Sequence, residues 1–408
     1  MTLSRSHDDV AVPPGADAVV VRYGEIGTKS RAVRTRMAGR LVENVAALLD
    51  DRGVEHTVAH ESARIVVRVD EADVATATRA AASAFGVESA SAARTVAPEV
   101  DAVAAAMADL GRAFYDGGSF AVDAQRGGAG HDFGSEDLAR EAGSAIWEAV
   151  ADDFDPEVDL DDPDHTFYVD CRPQEAFVFL EKRRGPGGLP LGTQEPLVAL
   201  ISGGIDSPVA AYEVMTRGSP VIPLYLDLGD FGGPDHRARA EEVTRTLAAY
   251  APNFDLCLRV APAGDAVADL VAGMDRGRML SFRRFMFRLA EHVAEREGAV
   301  GVVTGESLGQ KSSQTAANLA VTSAATTLPI HRPLLAANKT DIVDRAKGIG
   351  TYTDSTIPAG CSQFVPPQPM TRGDRSVLER LEPDDLFERA AAVAERVEVG
   401  SEKAASPE

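Results

Sequence analysis

Features that mark secreted, membrane-spanning or zinc-binding chains are scarce in this sequence. Its three cysteines, Cys171, Cys257 and Cys361, are too few for a disulfide framework or a four-cysteine zinc site. No apolar run is long enough to cross a membrane, and the first residues lack the apolar core of a signal peptide. These absences predict a cytoplasmic protein with no membrane partner and no metal site of its own.

Positive charge is scarce as well. The 408 residues include 63 acidic side chains against 41 lysines and arginines, which gives a formal net charge of −22. Because lysine is rare and the acidic residues are spread along the whole chain, we interpret this charge as adaptation to molar salt. At about 1 M salt the Debye length is roughly 3 Å, so the net charge hardly repels a polyanion. The protein could therefore bind nucleic acid through close local contacts. The alternative interpretation of the acidic charge is a mesophilic protein that avoids nucleic acid.

The length predicts two or three domains, and changes in composition suggest where they begin and end. A stretch dense in glycine and proline, Gly185 to Gly192, is typical of a linker. The expected segments are a polar tail (1–16), a small α+β domain (17–85), a second domain of the same style (86–185), a linker (186–195), a large C-terminal domain (196–395) and a second polar tail (396–408).

Hydrophobic periodicity assigns strands and helices to the two N-terminal domains. The alternating pattern at 165–171 makes Cys171 a structural residue of a strand rather than a reactive thiol. Strands are predicted at 18–23, 65–69, 119–124, 165–171 and 176–181, and helices at 34–49, 72–85, 100–115 and 135–150.

Strands and helices alternate in the C-terminal domain, which is typical of a doubly wound parallel sheet of the α/β class. Such sheets bind ligands at the carboxyl ends of their strands. A strand at 256–260 would place Cys257 in the core. Strands are predicted at 197–201, 220–225, 256–260 and 300–304, and helices at 235–250 and 279–296.

A glycine turn follows the first of these strands, in the order Ser202-Gly-Gly-Ile-Asp-Ser207. Ser207 can cap the next helix, and Pro208 suits its first position. Bare amides and the positive end of a helix would then point at one spot, which suits a phosphate group. The alternative is an ordinary glycine turn with a capping serine.

Two nucleotide-binding motifs of other families can be rejected. The Gly-Thr-Lys-Ser stretch that ends at Ser30 lacks the spacing of a Walker A loop. Asn338-Lys-Thr-Asp341 matches a guanine-binding motif of GTPases, but without a Walker A loop it has no phosphate site to serve. A lysine at 339 suits a phosphoryl centre better.

Two clusters of basic residues are candidates for contact with nucleic acid. The run from Arg22 to Arg40 is the densest basic patch, and a solvated helix face explains it equally well. The glycine-rich loop between Arg126 and His131 has two interpretations: it contacts a backbone phosphate, or it is only a long hairpin. The basic run consists of Arg22, Lys29, Arg31, Arg34, Arg36 and Arg40.

Three separated segments together resemble the tRNA 4-thiouridine synthases, also called tRNA uracil 4-sulfurtransferases. They are Tyr23-Gly-Glu-Ile26, the glycine turn with the residues up to Ala210, and Thr304-Gly-Glu-Ser-Leu-Gly-Gln310 continuing to Thr315. The resemblance covers about residues 18 to 380. It implies a ferredoxin-like domain, then a THUMP domain that binds RNA, then a PP-loop ATP pyrophosphatase domain of the adenine nucleotide α-hydrolase type.

The resemblance also implies an ATP-dependent reaction that adenylates uridine at position eight of tRNA and then replaces its O4 with sulfur. ATP and Mg²⁺ would be the cofactors. Asp206 and Lys339 would act in catalysis, with Lys339 steadying the reacting phosphate. RNA would contact Lys29, Arg31, Arg34 and Arg126. ATP would contact Leu200, Ile201, Ser202, Gly203, Gly204, Asp206, Ser207, Tyr225, Leu226, Arg283, Gly305 and Gln314, with Leu200, Ile201, Tyr225 and Leu226 around adenosine.

Cys361 matches the family position that carries a persulfide sulfur, although a buried filler is the alternative on local sequence. No rhodanese-like domain follows residue 400, so the sulfur must come from an external donor, as a persulfide or as free sulfide. Met279 and Phe282 replace a Cys-x-x-Cys of some archaeal relatives, which argues against an iron–sulfur cluster. A homodimer and a role in thiamine thiazole synthesis are left open.

Three other functions fit parts of the sequence. The chain could be a PP-loop synthetase that adenylates a small molecule, in which case the first 190 residues would be dispensable. It could be a tRNA-binding protein with an inactive nucleotide site, although Asp206, Lys339 and Cys361 are intact. A THUMP methyltransferase fits less well, because no Gly-x-Gly-x-x-Gly motif is present.

Overall fold

The computed structural model of the chain describes residues 9–61, 64–232, 234–355 and 369–400. The chain divides into two compact units, Met1–Pro190 and Leu191–Glu408. In the described part, no helix combines the length and the apolar character that crossing a bilayer requires.

The strands of the first unit form one mixed sheet. Its order is β2-β3-β1-β4-β8-β7-β5-β6, with β9 paired to β4. The elements are β1 (Ala18–Arg22), α1 (Arg31–Asp51), β2 (Thr57–Glu61), β3 (Arg64–Arg68), α2 (Val74–Ser83), β4 (Ser89–Val96), α3 (Val100–Phe114), β5 (Ser119–Arg126), α4 (Ser135–Val150), β6 (Glu157–Val158), β7 (His165–Cys171), β8 (Ala176–Phe179) and β9 (Arg183–Arg184).

Alternation along β1 separates two layers of core. Val19 and Val21 pack with residues of α1 and α2, whereas Ala18 and Val20 pack with Phe179 of β8 on the opposite face. The predicted strands and helices of this unit are all present, with ends shifted by up to a few residues. Tertiary packing rather than local propensity decides such ends.

The sheet is strongly coiled. Arg64 Nε on β3 lies 3.3 Å from Asp170 Oδ2 on β7, although three strands lie between them. Adjacent strands are about 4.8 Å apart, so a flat sheet would separate these two strands by about 19 Å. The natural twist of the sheet therefore brings its two halves face to face around the apolar layer that contains Phe177 and Phe179.

The helices α3 and α4 pack on the remaining core of this unit, which includes Cys171. Cys171 is completely buried, and burial raises the pKa of its thiol. Its predicted structural role is confirmed. The loop between Arg126 and His131 leads from β5 into α4 rather than into an antiparallel partner, so the hairpin alternative for this loop is wrong.

The segment predicted as a linker begins with backbone hydrogen bonds to the first unit. The amides of Gly185 and Gly187 donate to the carbonyls of Glu88 and Val87 at 2.9 and 2.8 Å, and Gly86 donates to Gly187 at 2.8 Å. Gly86 has φ +97°, and a Cβ there would lie 2.9 Å from the backbone nitrogen of Pro190. The domain limits at 85, 185 and 195 stay predictions.

The second unit is a doubly wound α/β domain, as predicted. Its sheet has the order β14-β13-β10-β11-β12-β15, and only β15 is antiparallel to its neighbour. The elements are β10 (Leu197–Ile201), α5 (Asp206–Met215), β11 (Val221–Asp227), α6 (Pro234–Ala248), β12 (Arg259–Pro262), α7 (Gly264–Gly273), α8 (Arg278–Glu297), β13 (Val302–Val303), α9 (Ala316–Ser323), β14 (Ile330–His331), α10 (Lys339–Gly348), α11 (Tyr352–Ser355), α12 (Arg375–Leu378), α13 (Leu386–Glu395) and β15 (Glu398–Val399).

The strand β10 lies at the topological switch point of this sheet. The chain continues from β10 to β11 on one side, while β13 pairs with β10 on the other side. The connections that leave the carboxyl ends of β10 and β13 therefore diverge and leave a crevice, which is where such folds bind ligands.

The structure corrects the position of Cys257. The strand begins only at Arg259, and Cys257 is half-buried in the preceding turn. Asp255 Oδ1 accepts the Cys257 amide at 3.1 Å, and the Cys257 carbonyl accepts from Arg259 Nη1 at 2.7 Å. These bonds hold the backbone out of the sheet, so the prediction of a core cysteine in a strand is wrong.

Candidate functional site

The glycine turn after β10 closes on itself through two serines. Ser207 Oγ accepts from the Ser202 amide at 2.9 Å and lies 3.2 Å from the Ser202 carbonyl oxygen, to which it donates. The helix α5 begins at Asp206, so Ser207 is its second residue and Pro208 its third. The predicted capping role of Ser207 is wrong, because its hydroxyl is used to tie the turn to the end of the strand.

Two glycines let backbone and side chains approach this turn closely. A Cβ on Gly305 would lie 2.7 Å from the carbonyl carbon of Asp206 and 2.9 Å from the Ser207 nitrogen. The connection after β13 therefore touches the first turn of α5. A Cβ on Gly203 would lie 3.4 Å from Arg239 Cβ, so α6 borders the turn on another side.

An ion pair stands at the start of α5. Lys339 Nζ, from the first residue of α10, lies 2.7 Å from Asp206 Oδ1. The side-chain amide of Gln310 lies beside both groups, with one terminal atom 3.2 Å from Asp206 Oδ2 and the other 3.1 Å from Lys339 Nζ. The catalytic roles of Asp206 and Lys339 stay predictions.

A second charged group lies in the connection that follows β13. Glu306, 2% exposed, accepts from Arg283 and from Arg332 Nε, the latter at 2.8 Å. Burial lowers the pKa of Arg283 to about 10, and Arg332 acts in the same direction. Gln314 accepts from Arg283 Nη2 at 3.3 Å and donates to the Ser307 carbonyl at 3.0 Å. Two buried cations thus share one carboxylate.

This arrangement suits a polyphosphate. The N-terminus of α5 carries a partial positive charge, and the unpaired amides of its first turn can bind phosphate oxygens. Lys339 can move from Asp206 to a phosphate, and the surplus charge of Arg283 and Arg332 attracts an anion. The backbone amides of the turn are in place before a ligand arrives, so they can stabilise charge that develops on a phosphoryl group.

The residues predicted around adenosine lie at the carboxyl ends of two adjacent strands. Ile201 pairs with Tyr225, and Leu200 and Leu226 are one position away on their strands. All four side chains are buried. Leu200 and Leu226 belong to the core on the α8 face of the sheet. Contact of these residues with adenosine stays a prediction.

The structure separates the basic run of the first unit into different environments. Lys29 and Arg31 are exposed just before and at the start of α1, where the first turn has no acidic residue. Arg22 instead packs over the Phe179 ring at 4.6 Å, and burial lowers its pKa to about 10. Arg40 pairs with Glu43 at 2.8 Å. Arg126 is exposed at the end of β5.

Cys361 lies outside the described residues, so its distance from the glycine turn stays untested. Glu306, Gln310 and Arg239 are site residues that sequence reasoning did not assign. Glu306 and Gln310 belong to the quoted Gly-Glu-Ser-Leu-Gly-Gln motif, which was a signal for them. Nothing local indicated that Arg239 borders Gly203.

Family models match both units of the chain. Residues 192–385 match the model described as thiamine biosynthesis protein (ThiI). Residues 18–91 match the ThiI ferredoxin-like domain, and residues 98–181 match the THUMP domain.

Curated relatives match the chain over almost its whole length. A protein of Halobacterium salinarum named "Probable tRNA sulfurtransferase" is 60% identical over 383 residues, which cover 94% of this chain and 97% of that protein. A protein of Methanosarcina mazei with the same name is 38% identical over 386 residues, covering 93% of this chain and 94% of that protein.

Two solved structures are similar. The crystal structure of a 4-thiouridine synthetase–RNA complex with bound ATP is 29% identical, with a TM-score of 0.82, and the match covers 94% of this chain and 99% of that chain. The structure of PH1313 from Pyrococcus horikoshii Ot3 is 23% identical, with a TM-score of 0.65 over 82% of this chain and 99% of that chain, and shows the fold alone.

Proposed function

Because the chain belongs to the tRNA sulfurtransferase family, whose domains it shares, we propose that it uses ATP to convert uridine at position eight of tRNA into 4-thiouridine. The observation that carries this proposal is the Asp206–Lys339 pair, which stands at the glycine turn of the switch point. The family resemblance inferred from the motifs is confirmed.

The first step activates a poor leaving group. The uracil O4 attacks the α-phosphorus of ATP, the bond from that phosphorus to the bridging oxygen breaks, and pyrophosphate leaves. The turn from Ser202 to Ser207 binds the phosphates through its amides, and Lys339 and Arg283 neutralise the developing negative charge. Dividing one difficult substitution into two easier steps is the general logic of covalent activation.

The donors present fit Mg²⁺ that arrives with ATP. Mg²⁺ binds phosphate oxygens, waters and one or two carboxylates, and Asp206 supplies one carboxylate at the turn. Among the described residues, no group of three or more His, Cys, Asp or Glu side chains could hold a metal by itself. When bound, Mg²⁺ supplies charge neutralisation. Asp206 would hold this Mg²⁺, and through it the phosphates, at the N-terminus of α5.

The second step replaces oxygen with sulfur. The outer sulfur of a cysteine persulfide attacks C4, the bond from C4 to the adenylated oxygen breaks, and AMP leaves. A thiol reductant then attacks the cysteine sulfur of the resulting disulfide, so the S–S bond breaks and 4-thiouridine is released, and a second thiol frees the cysteine. We assign Cys361 as the thiol that carries this persulfide, received from an external donor. Its match to the family position supports the assignment.

The first unit would bind tRNA in the cytoplasm, where tRNA is modified. We assign residues 17–85 as the ferredoxin-like domain, residues 86–185 as the THUMP domain and residues 196–395 as the PP-loop domain. The exposed cations Lys29 and Arg31, with Arg34 and Arg126, would contact the RNA backbone. The clustering of Lys29, Arg31 and Arg34 at the start of α1 supports this, because a helix N-terminus also attracts phosphate.

The test is to delete the gene in its host and analyse tRNA nucleosides by mass spectrometry. We expect 4-thiouridine to disappear and to return with a plasmid copy of the wild-type gene. The purified protein with ATP, a persulfide donor, a thiol reductant and an unmodified tRNA transcript should form 4-thiouridine and release pyrophosphate. Persistence of 4-thiouridine in the deletion strain, with no product in vitro, would contradict the proposal.

A further inference from the structure

Gln310 occupies a position that touches both charged groups at the start of α5. One terminal atom of its amide is 3.2 Å from Asp206 Oδ2 and the other is 3.1 Å from Lys339 Nζ. With the amide nitrogen toward the carboxylate, Gln310 donates to Asp206 and accepts from Lys339. The opposite orientation would set two acceptors against each other and two donors against each other.

The three side chains therefore form a closed triangle, since Lys339 also donates to Asp206 Oδ1 at 2.7 Å. Each of the two charged residues uses one of its hydrogen-bonding positions on Gln310. A neutral amide can serve an anion and a cation at once, through separate atoms, without adding charge. Gln310 is half-buried in the connection that follows β13, which Gly305 brings against α5.

An arriving phosphate should loosen the ion pair. Asp206 and Gln310 use two of the three N–H donors of Lys339, so the phosphate takes the third donor and competes with Asp206 for the ammonium. Once Lys339 has moved, the hydrogen bond from Gln310 is the contact in this triangle that still holds Asp206 Oδ2. Without it, the carboxylate could rotate away from the phosphates.

We infer that Gln310 is a positioning residue, which keeps Asp206 aimed at the phosphates of ATP while Lys339 changes partner from carboxylate to phosphate. This inference rests on the proposed function, because it assigns Gln310 to the adenylation step. The role of Gln310 concerns the chemical step more than the binding of ATP, since Gln310 acts through Asp206 and Lys339.

The experiment compares the full-length wild type with Gln310→Met, Gln310→Glu and a control, Gln194→Met. Methionine retains the length of glutamine but forms neither strong hydrogen bond. Gln194 is exposed in the same unit, so its replacement controls for the change of chemistry. Pyrophosphate release is measured with ATP and an unmodified tRNA transcript, together with 4-thiouridine formation and the midpoint of urea unfolding.

For Gln310→Met we expect kcat for pyrophosphate release to fall roughly tenfold or more, with KM for ATP within about threefold and the unfolding midpoint unchanged. Gln194→Met should match the wild type. The Gln310→Glu variant should be slow at neutral pH, where the introduced carboxylate repels Asp206 and retains Lys339. Its rate relative to wild type should rise on acidification, because a protonated carboxyl imitates the amide.

Three results would overturn the inference. The first is wild-type kcat in Gln310→Met. The second is a loss of rate in both Gln310 variants that follows a lowered unfolding midpoint and shows no pH signature, which indicates a purely structural role. The third is a wild-type protein that makes no 4-thiouridine, which overturns the proposed function and the inference with it. In contrast, an active wild type with an active Gln310→Met overturns the inference alone.

Discussion

Asp206 and Lys339 are separated by 133 positions along the chain and meet at 2.7 Å. Each stands in the first turn of its helix, α5 or α10. Asp206 is favourably placed there by the helix dipole and Lys339 is not, because the positive end of a helix repels a cation. A cation kept at an unfavourable position, beside a turn rich in amides, is what an anionic ligand would stabilise.

Two substitutions should divide the proposed reaction into its steps. Asp206→Ala should lose pyrophosphate release by about two orders of magnitude or more, which is on the order of 3 kcal/mol of transition-state stabilisation. Cys361→Ser should abolish 4-thiouridine formation but leave ATP binding near the wild-type level, because serine cannot carry a persulfide. Pyrophosphate release and 4-thiouridine formation are both measured with the same tRNA transcript. Wild-type thiolation by Cys361→Ser would remove this cysteine from the mechanism.

His236 should make the second unit sensitive to acid. Burial lowers the pKa of His236 below its usual 6.5, and Arg239 lowers it further while Asp235 opposes the shift. The folded protein therefore binds fewer protons than the unfolded chain below pH 6.5, so stability is highest above that pH and is lost as the pH falls. Urea unfolding of the wild type at about pH 7.5 and about pH 5.5 should show this loss.

The test variant is His236→Gln. It should flatten the dependence of the free energy of unfolding on pH, because the titrating group is gone. An unchanged slope in His236→Gln would show that other groups cause the acid sensitivity.

At the scale of the element, α9 joins the connection after β13 to the chain that returns after residue 368. Asn318 is completely buried and donates to the carbonyls of Ser312 and Met370 at 3.3 and 2.8 Å. Its side-chain oxygen accepts from the Gly373 amide at 2.7 Å. Thr315, which caps α9, donates to the Thr371 carbonyl at 2.7 Å.

Asn318→Ala should destabilise the second unit. It leaves part-buried backbone groups of Met370 and Gly373 without this partner, and each such group costs about 1–3 kcal/mol when it is fully buried. We expect the free energy of unfolding in urea to fall by roughly 2–4 kcal/mol. Asn318→Asp should cost at least as much, because it buries a charge that faces the carbonyls of Ser312 and Met370. Equal stability of Asn318→Ala and wild type would contradict this account.

The helix α1 is the element to which we assign RNA binding. Its first turn has cations and no acid, which is unfavourable in isolation and favourable beside phosphate. The double variant Arg31→Gln and Arg34→Gln should weaken tRNA binding. The slope of log affinity against log salt should become less steep by roughly 0.9 for each RNA phosphate that the variant no longer neutralises, if the site is a duplex.

Filter binding at several salt concentrations measures that slope. Arg79→Gln is a matched control in the same unit, because Arg79 is exposed on α2 and contacts Thr76 of its own helix. It should bind as the wild type does. A double variant with unchanged affinity and unchanged slope would remove α1 from the RNA interface.

At the scale of the whole molecule, the first unit is held in its coiled shape by charge. Asp170 is 2% exposed and lies 3.3 Å from Arg64 Nε and 2.6 Å from Arg172 Nε. The charge of Asp170 also acts on Arg22, whose pKa burial lowers to about 10. One buried carboxylate thus joins cations from β1, β3 and the end of β7.

Asp170→Ala should therefore destabilise the first unit strongly. Removing one partner of a buried ion pair leaves uncompensated charge and costs about 3–5 kcal/mol. Asp109→Ala is the surface control, because its pairs with Arg94 and Arg112 are half exposed and should contribute within about 1 kcal/mol. Urea unfolding of both variants checks the difference, and equal losses would contradict a buried role for Asp170.

Local patterns predicted most of the elements and the position of the nucleotide turn. The apolar run 197–201, the two glycines after it and the helix that follows need only near neighbours, so sequence sufficed. The predictions for Ser207 as a cap and Cys257 as a strand residue were wrong. In both places a side-chain hydrogen bond to a residue no more than five positions away accompanies a different local structure.

The sequence by itself determined which segments alternate as strand and helix, where a phosphate can meet a helix start, and which family the chain resembles. Hydrophobic periodicity and backbone hydrogen bonding act over a few residues, so a short stretch of sequence is enough to indicate them. Folding alone determined that Gln310 joins Asp206 and Lys339, that two arginines share Glu306, and that Asp170 meets Arg64 across the coiled sheet. Those contacts depend on strand order, sheet twist and close packing, which bring together residues far apart in the chain, so the local sequence does not specify which residues become partners.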